Sequence, residues 1–153
     1  MWRRTREPRR RPRGAVLTEA ALTLPVFLTV VLAVLDLGIG LFVQEVICQA
    51  ARQGVRQAIV HGRLASPRRT SWGPTTYTAM ANASGEIPAA IRTQLAVLDP
   101  ARVSIRVDWI DGGNDVQQRV RVTVSTTWTP MLTSLFGSRP WTFSAASTMP
   151  IAH

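Results

Sequence analysis

Two histidines, His61 and His153, one cysteine, Cys48, and nine Asp or Glu side chains are the chain's stock of groups for acid–base, nucleophilic or metal chemistry. Catalysis needs such a group held by an orienting partner. His61 stands near a predicted helix end and His153 at the terminus, and neither has a nucleophile at a motif spacing. The G-x-S-x-G, H-E-x-x-H, phosphate-loop and dinucleotide patterns do not occur. One cysteine makes neither an internal disulfide nor a Cys-based zinc site. Cys48 reads as a packing residue on a helix, with an intermolecular disulfide outside a membrane as the other reading. Asn82-Ala83-Ser84 fits a glycosylation acceptor, a pattern that short polar loops make by chance. Asp111-Gly-Gly-Asn-Asp115 carries two carboxylates without EF-hand ligand spacing, and reads as a hairpin turn. The sequence therefore predicts no catalytic, cofactor-binding or metal-binding residue, and no enzyme.

Two further carboxylates matter because of where they stand. Glu19 and Asp36 are the charged residues of the 29-residue stretch 15–43, AVLTEAALTLPVFLTVVLAVLDLGIGLFV. Residues 20–35 contain no charge at all, and with their flanks they reach the roughly 20 apolar residues that span a bilayer. A soluble buried helix of this kind needs cover on all sides, more than 153 residues supply. A cleaved secretory signal has a shorter apolar core and a small-residue cleavage site, so this stretch is read as a retained anchor. A charge at mid-membrane costs about 2.5–3.5 kcal/mol on insertion scales, so intramembrane acids have partners or functions. Glu19 lies near one edge of the stretch. Asp36 lies toward the other, as an intramembrane or interface acid. Pro25 removes one backbone hydrogen bond and predicts a bend.

The net charge of +9 sits mostly ahead of that span. Residues 1–14, MWRRTREPRRRPRG, hold seven Arg and one Glu, which leaves +3 for the rest of the chain. All 18 basic residues are Arg. A segment so polar and Pro-containing cannot bury a core and is expected to be disordered. Nucleic-acid binding would call for Arg clustered on a folded face or for interleaved aromatics, and Trp2 alone does not supply them. No nucleic-acid partner is expected. The basic segment is an orientation signal: it predicts a cytoplasmic N-terminus and a C-terminal part across the membrane.

Beyond the span, residues 44–62 continue as an amphipathic helix. Val46, Ile47, Ala50, Ala51, Val55, Ala58 and Ile59 recur at helical spacing, opposite Gln44, Glu45, Gln49, Arg52, Gln53, Arg56 and Gln57. Gly62 is the expected C-cap. Residues 63–87 are rich in Ser, Thr, Pro and Gly and read as a loop. Residues 88–153 form the exported domain, opening on a short helix from Pro88 with Ile91, Leu95 and Leu98 on one face. Val103, Ile105, Val107 and Trp109 then alternate with polar residues, as do Val120, Val122, Val124 and Thr126, predicting a hairpin with one apolar face. A third strand runs over residues 141–149, after a helical turn over residues 130–136 ended by Gly137. The predicted fold class is α+β: a long N-terminal transmembrane and amphipathic helix with a small antiparallel sheet and a short helix. Three strands are a small core, and packing on the outer half of the long helix completes it.

Three pieces of this sequence resemble the TadE-like family of the tight-adherence (Flp) pilus system, the pseudopilin-type minor subunits of bacteria. Arg13-Gly14 followed by AVLTEAALTLPVFL is similar to the type IV prepilin junction: basic leader, Gly, then Glu at the fifth position of an apolar helix. Val34-Leu35-Asp36-Leu37-Gly38 is similar to the family's acidic-aromatic-Gly step, with Leu37 where an aromatic is usual. Gln49-Ala-Ala-Arg-Gln-Gly-Val-Arg56 resembles its NAAREGAR-type segment, departing at Gln49, Gln53 and Val55. The resemblance covers about a third of the chain and implies a pilin-like structural or assembly subunit, cut by prepilin peptidase between Gly14 and Ala15. Gly14 suits a protease cleft because it adds no side chain to an extended backbone. The resemblance further implies that Glu19 pairs with the new N-terminal ammonium of a neighbouring subunit, which makes burial of both charges tolerable. The other reading of Glu19 is an interfacial acid near a helix N-terminus, favoured by the helix dipole. The implied partners are the peptidase, other pilin or pseudopilin subunits and the lipid bilayer. The implied location is the bacterial inner membrane, single-pass, or a pilus that the subunit enters. An uncleaved signal-anchored protein, whose exported domain binds an envelope partner or ligand, is the alternative.

Overall fold

The computed structural model describes residues 13–65, 70–95, 97–132, 137 and 139–152. The disorder expected of residues 1–12, and the part of the 130–136 turn beyond Leu132, lie outside them. Helix α1, Arg13–Ala58, is one unbroken element of 46 residues. At about 1.5 Å per residue it is on the order of 70 Å long. Pro25 lies inside it. The threonines of the apolar half are paired locally: Thr18 Oγ1 donates to the Ala15 carbonyl at 2.9 Å, Thr23 to Glu19 and Thr29 to Pro25, each at 2.8 Å. Such back-bonding leaves no hydroxyl unpaired where water is absent.

α1 stops at Ala58, four residues before Gly62, so Gly62 is not its cap. The amides of Val60 and His61 donate to the carbonyls of Gln57 (3.3 Å) and Ala58 (3.1 Å), tightening the last turn and ending the helix earlier. The His61 ring then donates from Nδ1 to the Gln57 carbonyl at 2.7 Å and stacks on Trp72, centroids 4.0 Å apart.

Four strands, β1 (Tyr77–Met80), β2 (Val103–Trp109), β3 (Arg119–Trp128) and β4 (Trp141–Pro150), form an antiparallel sheet in the order β1-β2-β3-β4. The hairpin register pairs Ile105 with Val124 and Val107 with Val122, so the alternation read from sequence becomes one buried face. β1 is a fourth strand, inside the stretch expected to be loop. YTAM lacks a strong apolar alternation, and pairing with the open edge of β2 makes it a strand. Helix α2 spans Glu86–Arg92, starting two residues ahead of Pro88. Leu95 and Leu98 reach the core from the turns that follow it. Asp99 Oδ1 accepts from the Ala101 amide at 3.0 Å, capping the 3-10 turn Pro100–Arg102.

The core forms where the sheet lies across α1. Ile47, Ala50, Ala51, Val55 and Ala58 face Ile105, Val122, Val124 and Ile91, all buried. Each fully buried Val or Ile contributes roughly 1.5–3 kcal/mol relative to exposure. Gly54 marks the closest approach: a Cβ there would sit 2.9 Å from Ile91 Cδ1 and 3.0 Å from Val122 Cγ1. Arginines hold the two acids of the hairpin turn. Asp111 accepts from the Arg119 amide and guanidinium, both at 2.7 Å, and Asp115 pairs with Arg63.

Candidate assembly surface along the N-terminal helix

α1 changes environment along its length. Residues 14–31 are exposed on every side, among them Leu22, Leu24 and Phe27. From Asp36 a buried stripe begins, and Gly40, Val43, Ile47, Ala50, Ala51, Gly54, Val55 and Ala58 continue it at steps of three and four. The helix is long and apolar enough to cross a membrane, and 17% of its most apolar window is buried. A core helix of a soluble protein would be mostly covered. The bare half is exposed on all its faces, and the striped half carries the domain.

Gly14 and Ala15 occupy the first turn of α1, exposed, with nothing within 4 Å of the position where a Gly14 Cβ would stand. Glu19 follows one turn later, also exposed. Among the described residues its carboxylate has no hydrogen-bond or ion-pair partner within the chain. Asp36 is a different kind of acid. It is buried, and its two oxygens accept from the backbone amides of Met131 at 2.9 Å and Leu132 at 2.7 Å. A carboxylate on two amides is a charge-assisted pair, which offsets the cost of holding a charge at the edge of an apolar segment. Seventeen helical residues, about 26 Å of rise, separate Glu19 from Asp36, so the two acids do not form one site.

Around Asp36 the sheet's end closes on the helix. Trp128, Trp141 and Phe143 form an aromatic cluster: Trp128 stands edge-on to Trp141, centroids 6.5 Å apart, and tilted against Phe143 at 6.2 Å. They lie across α1 at Gly40. A Cβ there would meet Phe143 at 3.6 Å and Trp128 at 3.7 Å. Sequence reading did not find this cluster or the partners of Asp36. Its signal was the pairing Trp128↔Trp141 at matching strand ends, visible only once register is known.

Among the described residues, no three His, Cys, Asp or Glu side chains converge as a metal site would require. Cys48 is a free thiol, half-buried, 3.7 Å from the Gln44 side-chain amide.

The short residues of the third resembling piece now have a reason. Ala50, Ala51 and Gly54 are the positions where α1 meets the sheet and α2, and larger side chains would hold those elements apart. No curated protein and no solved structure matches the chain. The family model described as TadE-like protein matches residues 14–56, which begins at Gly14 and runs to within two residues of the end of α1. Over that segment the chain is similar to TadE-like proteins, and the matched segment is the helix long and apolar enough to cross a membrane.

Proposed function

We propose that the chain is a structural or assembly subunit, a minor pilin or pseudopilin, of a bacterial tight-adherence pilus or related secretion system. In this reading a membrane prepilin peptidase removes residues 1–14, the mature subunit begins at Ala15, and the domain lies outside the inner membrane. The observation that carries it is the start of the family match at Gly14, on a helix bare on every face, with Glu19 one turn further on.

The mechanism is assembly rather than chemistry. A helix lined with Leu, Val and Ala on all sides has no orientation preference in lipid, so subunits packing through it need a registering contact. Glu19 supplies one polar group in the first turns of the helix. Paired with the ammonium of a neighbour's Ala15, it is a salt bridge in a low-dielectric setting, where an unpaired partner is strongly unfavourable. Subunits out of register leave both charges unpaired and are rejected. The seven Arg ahead of Gly14 hold the N-terminus in the cytoplasm until cleavage.

Glu19→Val tests the registering role. Membrane insertion is expected to be intact, because the change makes the span more apolar. Crosslinking into higher-order subunit complexes is expected to fall at least about tenfold, the equivalent of 1.4 kcal/mol. Normal assembly by the Val variant contradicts the charge-pairing role.

A further inference from the structure

The aromatic end of the sheet and the helix beneath it enclose an apolar groove of about 460 Å³. Leu37, Gly40 and Leu41 line it from α1, and Trp128, Trp141 and Phe143 from the sheet. Among the described residues the one acid on its wall is Asp36, which already accepts the two backbone amides of Met131 and Leu132. The rim is exposed: Leu41 is 73% accessible, Leu37 62% and Trp141 50%. Such a contiguous apolar surface is not left to water by an isolated domain.

Its depth follows from helix rise. From Gly14 to Asp36 is 22 residues, about 33 Å, close to the roughly 30 Å hydrocarbon thickness. With Gly14 at one hydrocarbon boundary, Asp36 falls at the other, on the domain's side. Gly40, under the aromatic cluster, lies about 6 Å further out, within the interfacial band of roughly 5–8 Å. Tryptophan favours that band, where the ring meets chains and its N–H meets water and headgroups. The groove is continuous with the bare face of α1, so lipid that covers residues 14–31 reaches its mouth without crossing a polar surface.

We propose that the groove takes an acyl chain of a phospholipid in the leaflet on the domain's side, with Trp128 and Trp141 seated at interface depth. The domain then rests on the membrane and is not held above it on a free helical stalk. Lipid between Leu41 and Trp141 covers the apolar surface that the described residues leave exposed. A subunit leaving the membrane must exchange this lipid for protein. The seat itself needs only the span, and holds with or without removal of residues 1–14.

The test uses the full-length chain with Trp2→Phe, reconstituted in phosphatidylcholine vesicles carrying bromine at shallow or deep acyl positions. Trp72 and Trp109 serve as internal controls, since both are buried at the far end of the sheet. Shallow bromolipid is expected to lower indole emission roughly twofold, deep bromolipid less, as an interfacial ring requires. The Trp128→Phe/Trp141→Phe variant is expected to lose that quenching. Each single Phe variant gives the same comparison with a smaller loss, should the double variant fail to fold. Equal emission in brominated and plain lipid, or quenching unchanged by the substitutions, overturns the proposal. So does a groove filled by a second copy: Leu41→Cys chains, with Cys48→Ser, that crosslink to one another while showing no lipid quenching.

Discussion

Asp36 and Leu132, 96 residues apart in the chain, are joined by a 2.7 Å hydrogen bond from the Leu132 amide to Asp36 Oδ2. The neighbouring Met131 amide completes the pair on Oδ1 at 2.9 Å. One acid at the domain end of the apolar stretch thus ties down the start of the connection between β3 and β4. It fixes where along α1 the domain begins. Asp36→Leu is expected to keep the helix and its insertion while leaving two amides without their acceptor, a loss of about 1–3 kcal/mol per orphaned group. Asp36→Asn retains one acceptor oxygen and is expected to lose less. Denaturant unfolding of the detergent-solubilised chain, with proteolysis in the β3–β4 connection as local readout, checks both. A Leu variant as stable and as protease-resistant as the parent contradicts the tie.

Gly54 governs how closely the sheet approaches the helix. Its missing Cβ faces the Ile91 and Val122 side chains at 2.9 and 3.0 Å. Gly54→Val is expected to force those apart and cost about 1–3 kcal/mol as overpacking. Gly54→Ala combines a milder clash with a gain in helix propensity of up to about 1 kcal/mol, so it is expected to fall between. Thermal unfolding of the three proteins in one detergent gives the ordering, and a Val variant at or above the parent's melting temperature contradicts the close approach.

Acid stability follows from two exposed carboxylates outside the span. Trp72 Nε1 and then Thr70 donate to Glu86, and the Arg119 side chain and amide donate to Asp111, holding both carboxyls below their ordinary values. A group whose folded pKa is depressed stabilises the fold above its unfolded pKa, near 4, and loses that contribution as pH falls through the folded value. The melting temperature is therefore expected to be level from neutral pH to about pH 5 and to decline below about pH 4. Glu86→Gln and Asp111→Asn are each expected to shallow the decline. A profile that rises on acidification contradicts the assignment.

Much of this was legible in the sequence, for identifiable reasons. Alternation at Val103, Ile105 and Val107 against Val120, Val122 and Val124 is a period-two signal strong enough to give both faces and pairing of the hairpin. The helical stripe at Ile47, Ala50, Ala51, Val55 and Ala58 likewise named the contact face of α1. β1 was hidden because a four-residue edge strand is held by its neighbour's hydrogen bonds rather than by its own pattern. The partner of Asp36 was hidden because backbone amides carry no sequence label. The apolar stretch 15–43 reads as one object, yet its last turns carry the sheet on one face from Asp36 onward. Hydropathy does not distinguish a leucine facing lipid from a glycine under tryptophan.

The central claim is that the chain is matured at Gly14 before it assembles. Intact-mass measurement of the protein extracted from membranes of cells that contain the prepilin peptidase tests it in one step. The account predicts a species beginning at Ala15, shorter by residues 1–14, and a full-length species when Gly14→Val blocks cleavage. A full-length chain at steady state in the parent would contradict it, and would leave an uncleaved anchor with an exported domain.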